Sequence, residues 1–262
     1  MDIAEILTVW LIPLLTLSAM EIVLGIDNIV FISILSSKLP EEEQAKGRHL
    51  GLLFAMGTRI LLLFGIGWVV TATNTLFSWS DLGIHLEPLV GKHDFHEINA
   101  VSVRDIILFS GGLFLIWKSV TEIHEKLSHH EEGEKKNGKK ASFRSVIIQI
   151  AILDIVFSLD SVITAVGMVD EIWVMVISVI LAVGVMMAFA GPISHFVEAN
   201  PTLKMLALSF LILIGVMLVS EGVGTEIEKG YVYFAMAFAL LVEVLNIRFR
   251  YKQKGRLQEK RA

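Results

Sequence analysis

The sequence predicts an all-α polytopic membrane protein with seven transmembrane helices, built as two inverted three-helix repeats plus a seventh helix. Three observations lead to this prediction: the composition, the number of long apolar stretches, and a motif that occurs twice. Of the 262 residues, 54% are hydrophobic and 19% are charged, with a formal charge of −5 and a mean hydropathy of +0.68. Soluble chains carry nearer a quarter charged residues, so a chain this apolar is expected in lipid. The net negative charge argues against a nucleic-acid partner, and the lack of cysteine excludes thiolate ligands and thiol redox chemistry.

Seven apolar stretches are long enough to cross a bilayer, which takes about 20 residues of α-helix. The third stretch has the weakest signal, because Lys118 near its end must reach back to the membrane interface. The predicted spans are 9–36, 50–73, 103–121, 146–169, 172–197, 203–220 and 231–247.

The basic residues between these spans predict that the N-terminus lies outside and the C-terminus lies inside. Cytoplasmic segments of membrane proteins carry an excess of Lys and Arg. With an internal C-terminus, seventeen basic residues fall on the cytoplasmic side, and only Lys92, Arg104 and Lys229 fall outside. The imbalance therefore favours the N-out, C-in orientation.

The chain is expected to form one membrane domain, 1–262, with two similar halves. Residues 20–31 read MEIVLGIDNIVF and residues 153–164 read LDIVFSLDSVIT, which aligns Glu21 with Asp154, Asp27 with Asp160, and Asn28 with Ser161. Because the first span runs inward and the fourth runs outward, the halves have inverted topology, as in many secondary transporters. The predicted parts are repeat one at 9–121, a cytoplasmic linker at 122–144, repeat two at 146–220, the extra helix at 231–247 and a basic cytoplasmic tail at 248–262.

Four carboxylates, two in each copy of the motif, fall near the middle of the membrane. Each ionised group there costs about 2.5–3.5 kcal/mol on insertion scales, so the set needs protons, basic partners or a bound cation. Arg59 is the only basic residue well inside a span, and it is predicted to form a structural ion pair with Glu243. The four carboxylates, Glu21, Asp27, Asp154 and Asp160, would then have no counter-charge from the protein, as in a cation site. Any one of them alone could instead be a protonated structural group that bonds to a neighbouring helix.

The residue types in the two motifs indicate which cation the site would take. Carboxylate, amide and hydroxyl oxygens suit hard dications such as manganese, calcium or magnesium better than copper or zinc. On a regular helix Asp27 lies about 120° away from Glu21, so a break or kink at Gly25, and at Ser158 in the second half, is expected to turn both acids of each motif toward one cavity. The predicted metal site comprises Glu21, Asp27, Asn28, Asp154, Asp160 and Ser161. Glu122 and Glu221, near the ends of the third and sixth spans, are candidates for groups at a gate or at a mouth of the path.

The two motifs resemble those of the TerC family of integral membrane proteins. The resemblance is carried by EIVLGIDNIVFI in the first span, DIVFSLDSVITAVGMVD in the fourth and SEGVG before the last, and it covers essentially the whole chain. It implies a short form of a family that includes manganese exporters, and it implies that the six motif residues carry the metal. Because Ser161 is a weaker oxygen donor than Asn28, the second half is expected to contribute fewer direct ligands.

These expectations lead to one function and leave alternatives open. The leading hypothesis is a divalent metal cation exporter of the bacterial cytoplasmic membrane, specific for Mn²⁺ by the resemblance and driven by proton antiport through the midplane carboxylates. Its partners would be the lipid bilayer, the divalent cation and protons, with no cofactor and no nucleic acid. The alternatives are transport of another ion or an oxyanion, and a role without transport as a membrane-protein assembly factor or a subunit of a metal- or tellurite-stress complex. No arrangement of residues typical of an enzyme is found in the sequence.

Overall fold

The protein is a bundle of long helices, seen in a computed structural model. The structure describes residues 6–65, 73–82, 98–131, 142–169, 171–225 and 227–259. The seven α-helices of these segments are α1 (Ile12–Ser36), α2 (Glu41–Phe64), α3 (Val103–Glu131), α4 (Phe143–Met168), α5 (Ile172–Ala199), α6 (Pro201–Gly222) and α7 (Lys229–Glu259). A short π-helical segment, Ile6–Leu11, leads into α1.

Seven of the described helices are long and apolar enough to cross a membrane, which confirms the predicted number of spans. Large hydrophobic side chains are exposed along the outside of the bundle, including Phe234 and Phe238 on α7 and Leu61 on α2. An exposed apolar surface of this kind is what a lipid-facing protein requires, because lipid tails are as apolar as these side chains.

Three helices differ in extent from the predicted spans. The second span was predicted at 50–73, but α2 begins at Glu41, after Pro40, because acidic residues in its first turn favour a helix N-terminus. Helix α3 continues to Glu131, so the predicted linker at 122–144 starts as helix. Helix α7 continues to Glu259, so most of the predicted tail at 248–262 is helical as well. Hydropathy marks where the apolar stretch ends, whereas a helix continues through polar residues until its backbone is interrupted.

A small antiparallel hairpin lies between α2 and α3, on the side predicted to be outside. Strand β1 (Thr75–Ser78) pairs with β2 (Ala100–Ser102), and a single 3-10 turn, Trp79–Leu82, follows β1. This hairpin is not evident from the sequence alone. Strand β2 leads directly into α3 and so fixes the first turn of that helix.

The helices of the two predicted halves pack against one another rather than separately. The most extensive contacts are between α3 and α6, between α1 and α5, and between α2 and α4, followed by α2 with α5. Exchanging α1, α2 and α3 for α4, α5 and α6 converts this set of pairs into itself, as expected for two equivalent halves. The inverted orientation of the halves, and the sidedness of the whole chain, stay predictions.

Helices α3 and α6 approach closely because glycines face each other. A methyl group added at Gly112 would lie 2.6 Å from the carbonyl oxygen of Gly215, and one added at Gly215 would lie 2.9 Å from the carbonyl oxygen of Gly112. Both obstacles are backbone atoms, which cannot rotate away as a side chain can. Small residues at such crossings allow membrane helices to pack tightly.

We expect Gly112→Ala to destabilise the protein, because the methyl group can be accommodated only by separating α3 from α6. Overpacking of this kind costs about 1–3 kcal/mol, which corresponds to a fall in Tm of roughly 2–4 °C per kcal/mol for a chain of this size. The measurement is thermal unfolding in detergent. Gly184→Ala is the matched control, since nothing lies within 4 Å of a methyl group at that position; equal Tm values for the two variants would contradict the close approach of α3 and α6.

Candidate cation site

The centre of the bundle contains an ion cluster in which one guanidinium faces two carboxylates. Arg59 on α2 is 3% exposed, and its Nη1 contacts Oε2 of Glu21 on α1. Its Nε donates a hydrogen bond to Ser158 Oγ at 3.2 Å and lies 3.8 Å from Asp154 Oδ1 on α4. Arg59 therefore joins the first helices of both predicted halves.

The predicted ion pair between Arg59 and Glu243 is wrong. The Glu243 carboxylate accepts a hydrogen bond from Asn246 Nδ2 at 3.4 Å, within α7. Helix α7 packs mainly against α6, whereas α2 packs against α4, α5 and α1. Arg59 therefore meets the motif carboxylates first, and the expectation that these carboxylates have no counter-charge from the protein is corrected as well.

One oxygen of the Asp154 carboxylate accepts hydrogen bonds, whereas the other accepts none from the described residues. Its Oδ2 accepts hydrogen bonds from Thr58 Oγ1 at 2.5 Å and from Ser158 Oγ at 3.0 Å. Its Oδ1 is buried and accepts no hydrogen bond from the residues that the structure describes. Buried polar atoms in native proteins are almost always satisfied, so this oxygen is a candidate ligand atom.

The sequence alone does not identify the roles of Thr58 and Ser158. It marks Ser158 only as the counterpart of Gly25. A signal for Thr58 was present, because it precedes Arg59 in the same apolar span, and a polar pair inside a span indicates a function.

Two further predicted ligands lie beside Arg59. Asn28 and Ser161 are both buried, and both line a cavity of about 50 Å³ that also has Arg59 in its wall. The Ser161 side chain interacts with the Glu21 carboxylate. Asn28 also borders a smaller void next to Asp154. Four of the six predicted residues are thus gathered around one guanidinium, while their role as metal ligands stays a prediction.

The side chains of Asp27 and Asp160 lie outside the part of the chain that the structure describes, although both residues belong to continuous helices. The expected break in α1 at Gly25 and in α4 at Ser158 is wrong, because both helices continue through these positions; the alternative, a kink there, stays a prediction. Gly25 instead faces α5, where a methyl group at this position would meet the flexible end of the Met186 side chain. Among the described side chains, no group of three or more acidic or histidine residues is close enough to hold a metal ion.

Glu122 and Glu221 lie at opposite ends of the packed α3–α6 pair, and each is buried in an ion-pair cluster. Glu122 contacts Lys38 and lies 3.4 Å from Lys118 Nζ. Glu221 lies 3.7 Å from Arg104 Nη2 and 3.9 Å from Lys229 Nζ. The Glu221 cluster borders a polar cavity of about 370 Å³ beneath the hairpin.

These features define a multi-pass membrane protein whose polar centre is enclosed by apolar helices. The chain belongs to the integral membrane protein TerC family, whose sequence pattern matches residues 7–257. It is 51% identical over 239 residues to the "UPF0053 protein" of Haemophilus influenzae. The matched region covers 91% of this chain and 94% of that protein.

Other relatives indicate where the protein resides. The chain is 49% identical over 232 residues to the "UPF0053 inner membrane protein YgdQ" of Escherichia coli, covering 88% of this chain and 90% of that protein. It is also 46% identical to the E. coli "UPF0053 inner membrane protein YoaE", but it covers only 42% of that longer protein. No solved structure matches the chain. With its seven spans, the chain is a multi-pass protein of the cytoplasmic membrane.

We expect the ion cluster to show strong coupling in a double-mutant cycle. Arg59→Met leaves two carboxylates buried without their partner, and breaking a buried pair in this way costs about 3–5 kcal/mol. Adding Glu21→Gln to Arg59→Met removes one of the stranded charges, so the double variant should be more stable than Arg59→Met alone. Thermal unfolding in metal-free detergent measures the cycle. Additive losses would show that Arg59 and Glu21 do not interact.

Proposed function

We propose that this protein exports divalent metal cations across the cytoplasmic membrane, with Mn²⁺ as its main cargo. The observation that supports this proposal is the buried pair of carboxylates from α1 and α4, in which Asp154 Oδ1 accepts no hydrogen bond from the described residues. Intramembrane ionisable groups in transporters mark the path of the transported ion. Binding sites near the midplane, between repeats, are typical of secondary transporters.

The chemistry of the surrounding side chains favours a hard dication. Glu21, Asp154, Asn28 and Ser161 offer carboxylate, amide and hydroxyl oxygens, and the chain has no cysteine. Such oxygen donors suit Mn²⁺, Ca²⁺ and Mg²⁺ rather than thiophilic metals. Within that group, the choice of Mn²⁺ rests on the resemblance to manganese exporters. In this proposal the side chains of Asp27 and Asp160 complete the ligand set.

Energetics requires the export to be coupled. Moving a dication out against an inside-negative potential costs about 4.6 kcal/mol per 100 mV, twice the value for one charge. A passive pore would therefore import the metal. We propose proton antiport, in which carboxylates that release the metal outside take up protons there and lose them again inside.

The two end clusters act as gates in this proposal. Glu122 with Lys38 and Lys118 closes one end of the path, and Glu221 with Arg104 and Lys229 closes the other. Alternating access requires one of these ion-pair clusters to open while the other stays closed. Because both clusters include residues of α3, movement of this helix relative to α6 is the natural way to open them.

The experiment that tests export is the cellular manganese content of bacteria lacking their own manganese exporters. We expect the wild-type chain to lower cell manganese and to restore growth in excess manganese. Asp27→Asn and Asp154→Asn should lose at least about tenfold of this activity, since even changes outside the direct ligands lower metal affinity about tenfold or more. Membrane abundance is matched for all variants.

Glu243→Gln is the matched control for these variants. It also removes a membrane-embedded carboxylate, but from α7 and away from the ion cluster, so it should retain wild-type export. If Asp27→Asn and Asp154→Asn restore growth as well as wild type does, the carboxylates are structural. That result would favour the assembly-factor or stress-complex role without transport.

Proton coupling is tested separately, in everted membrane vesicles with the voltage clamped by potassium and valinomycin. We expect uptake of Mn²⁺ into the vesicles to fall severalfold when nigericin collapses the pH gradient. We also expect addition of Mn²⁺ to acid-loaded vesicles to release protons from their interior. Mn²⁺ uptake that proceeds unchanged without the pH gradient would eliminate proton antiport while leaving export intact.

A further inference from the structure

We propose that Arg59 is a tethered cation that occupies the carboxylate site in the metal-free state, and that a metal ion binds only by displacing it. This inference rests on the proposed function, because it names the group that the transported metal replaces. It assigns Arg59 the role of a selectivity residue, whereas the sequence had suggested a structural pair with Glu243.

The position of the guanidinium supports this role. Arg59 comes from α2, yet it faces Glu21 on α1 together with Asp154 and Ser158 on α4. A guanidinium is always charged and presents its donors in a planar fork that matches carboxylates. It therefore contacts the same oxygens that a dication would require.

The contact geometry makes the metal and the guanidinium competitors for the same oxygens. Arg59 Nη1 contacts Glu21 Oε2, and Arg59 Nε lies 3.8 Å from Asp154 Oδ1. A dication held between these two oxygens would lie where the guanidinium now lies, and like charges a few ångströms apart repel strongly in a low-dielectric interior. Metal binding between Glu21 and Asp154 thus requires Arg59 to leave.

The surroundings of Arg59 allow this exchange. Thr58 and Ser158 both donate hydrogen bonds to Asp154 Oδ2 and so hold this carboxylate in place. The other oxygen, Oδ1, lies 3.8 Å from Arg59 Nε and is the atom that would bind the metal once Arg59 leaves. The adjacent cavity of about 50 Å³ is large enough for a water-sized ion. Because Arg59 is part of α2, its departure would also couple metal binding to a rearrangement of α2 against α1 and α4.

A tethered guanidinium also discriminates by valence. Na⁺ or K⁺ would exchange one positive charge for another and would compete with a group held at high effective concentration. A dication brings a second positive charge to the two carboxylates, so it gains electrostatic attraction that a monovalent ion lacks. Arg59 therefore excludes the abundant monovalent cations of the cell.

The test is cation binding to purified full-length protein in detergent, measured as the thermal shift on titration with Mn²⁺, K⁺ or Na⁺. An internal competitor lowers apparent affinity by the fraction of protein it leaves free. We expect Arg59→Gln to lower the half-saturating Mn²⁺ concentration by about tenfold or more relative to wild type. The same variant should gain stabilisation by K⁺ or Na⁺, which wild type lacks. Arg59→Lys keeps the charge but loses the planar fork of donors. Its half-saturating Mn²⁺ concentration should therefore lie between those of wild type and Arg59→Gln.

Arg48→Gln is the matched control, because Arg48 lies on the same helix and donates to Ser194 at 3.3 Å, away from the ion cluster. It should bind Mn²⁺ as wild type does. If Arg59→Gln unfolds without metal, it is purified in Mn²⁺, and unfolding on chelation then supports the inference. If it does not fold even in Mn²⁺, Arg59→Lys decides the question by the same affinity comparison.

The outcomes separate this inference from the proposed function. If wild type binds Mn²⁺ and the Arg59 variants bind it no more tightly, or more weakly, Arg59 is a structural support and the inference is overturned. If neither wild type nor any variant binds a dication, the proposed function fails and the inference fails with it. Binding by Arg59→Gln but not by wild type is the extreme form of the expected result.

Discussion

The balance of charge inside lipid is the constraint on which the rest of this structure depends. Arg59, Glu21 and Asp154 are each 4% exposed or less, and they come from three different helices. Removing Arg59 would leave two buried carboxylates without their partner in a medium that solvates charge poorly. The cluster therefore fixes α1, α2 and α4 relative to one another, and the tight glycine contact between α3 and α6 supports the opposite part of the bundle.

The same balance connects the fold to the proposed transport. Two carboxylates and one guanidinium leave negative charge in excess, and in the proposed site Asp27 and Asp160 add to it. A structural ion pair would normally be matched in charge, so an excess of carboxylates at the midplane is typical of a site that exchanges cations. The ion-pair clusters of Glu122 and Glu221 lie at the two ends of the α3–α6 pair. In the proposed transport cycle these two clusters open one at a time.

The sequence predicted the number of spans correctly, because apolar length is a property of the chain itself. It also identified Glu21, Asn28, Asp154 and Ser161, which do lie together. It failed on the partner of Arg59, since every acid within a span is an equal candidate until the helix packing is known. It failed on Gly25 for a related reason: a glycine inside a helix indicates a break or a close contact equally well, and only the continuous helix seen in the structure distinguishes them.

The most direct test of this account is a structure of the wild-type protein with Mn²⁺ bound, with the metal located by its anomalous scattering. The account predicts one manganese ion between the carboxylates of Glu21 and Asp154, with the Arg59 guanidinium withdrawn from both. A manganese ion bound elsewhere, or one bound while Arg59 still contacts both carboxylates, would contradict it.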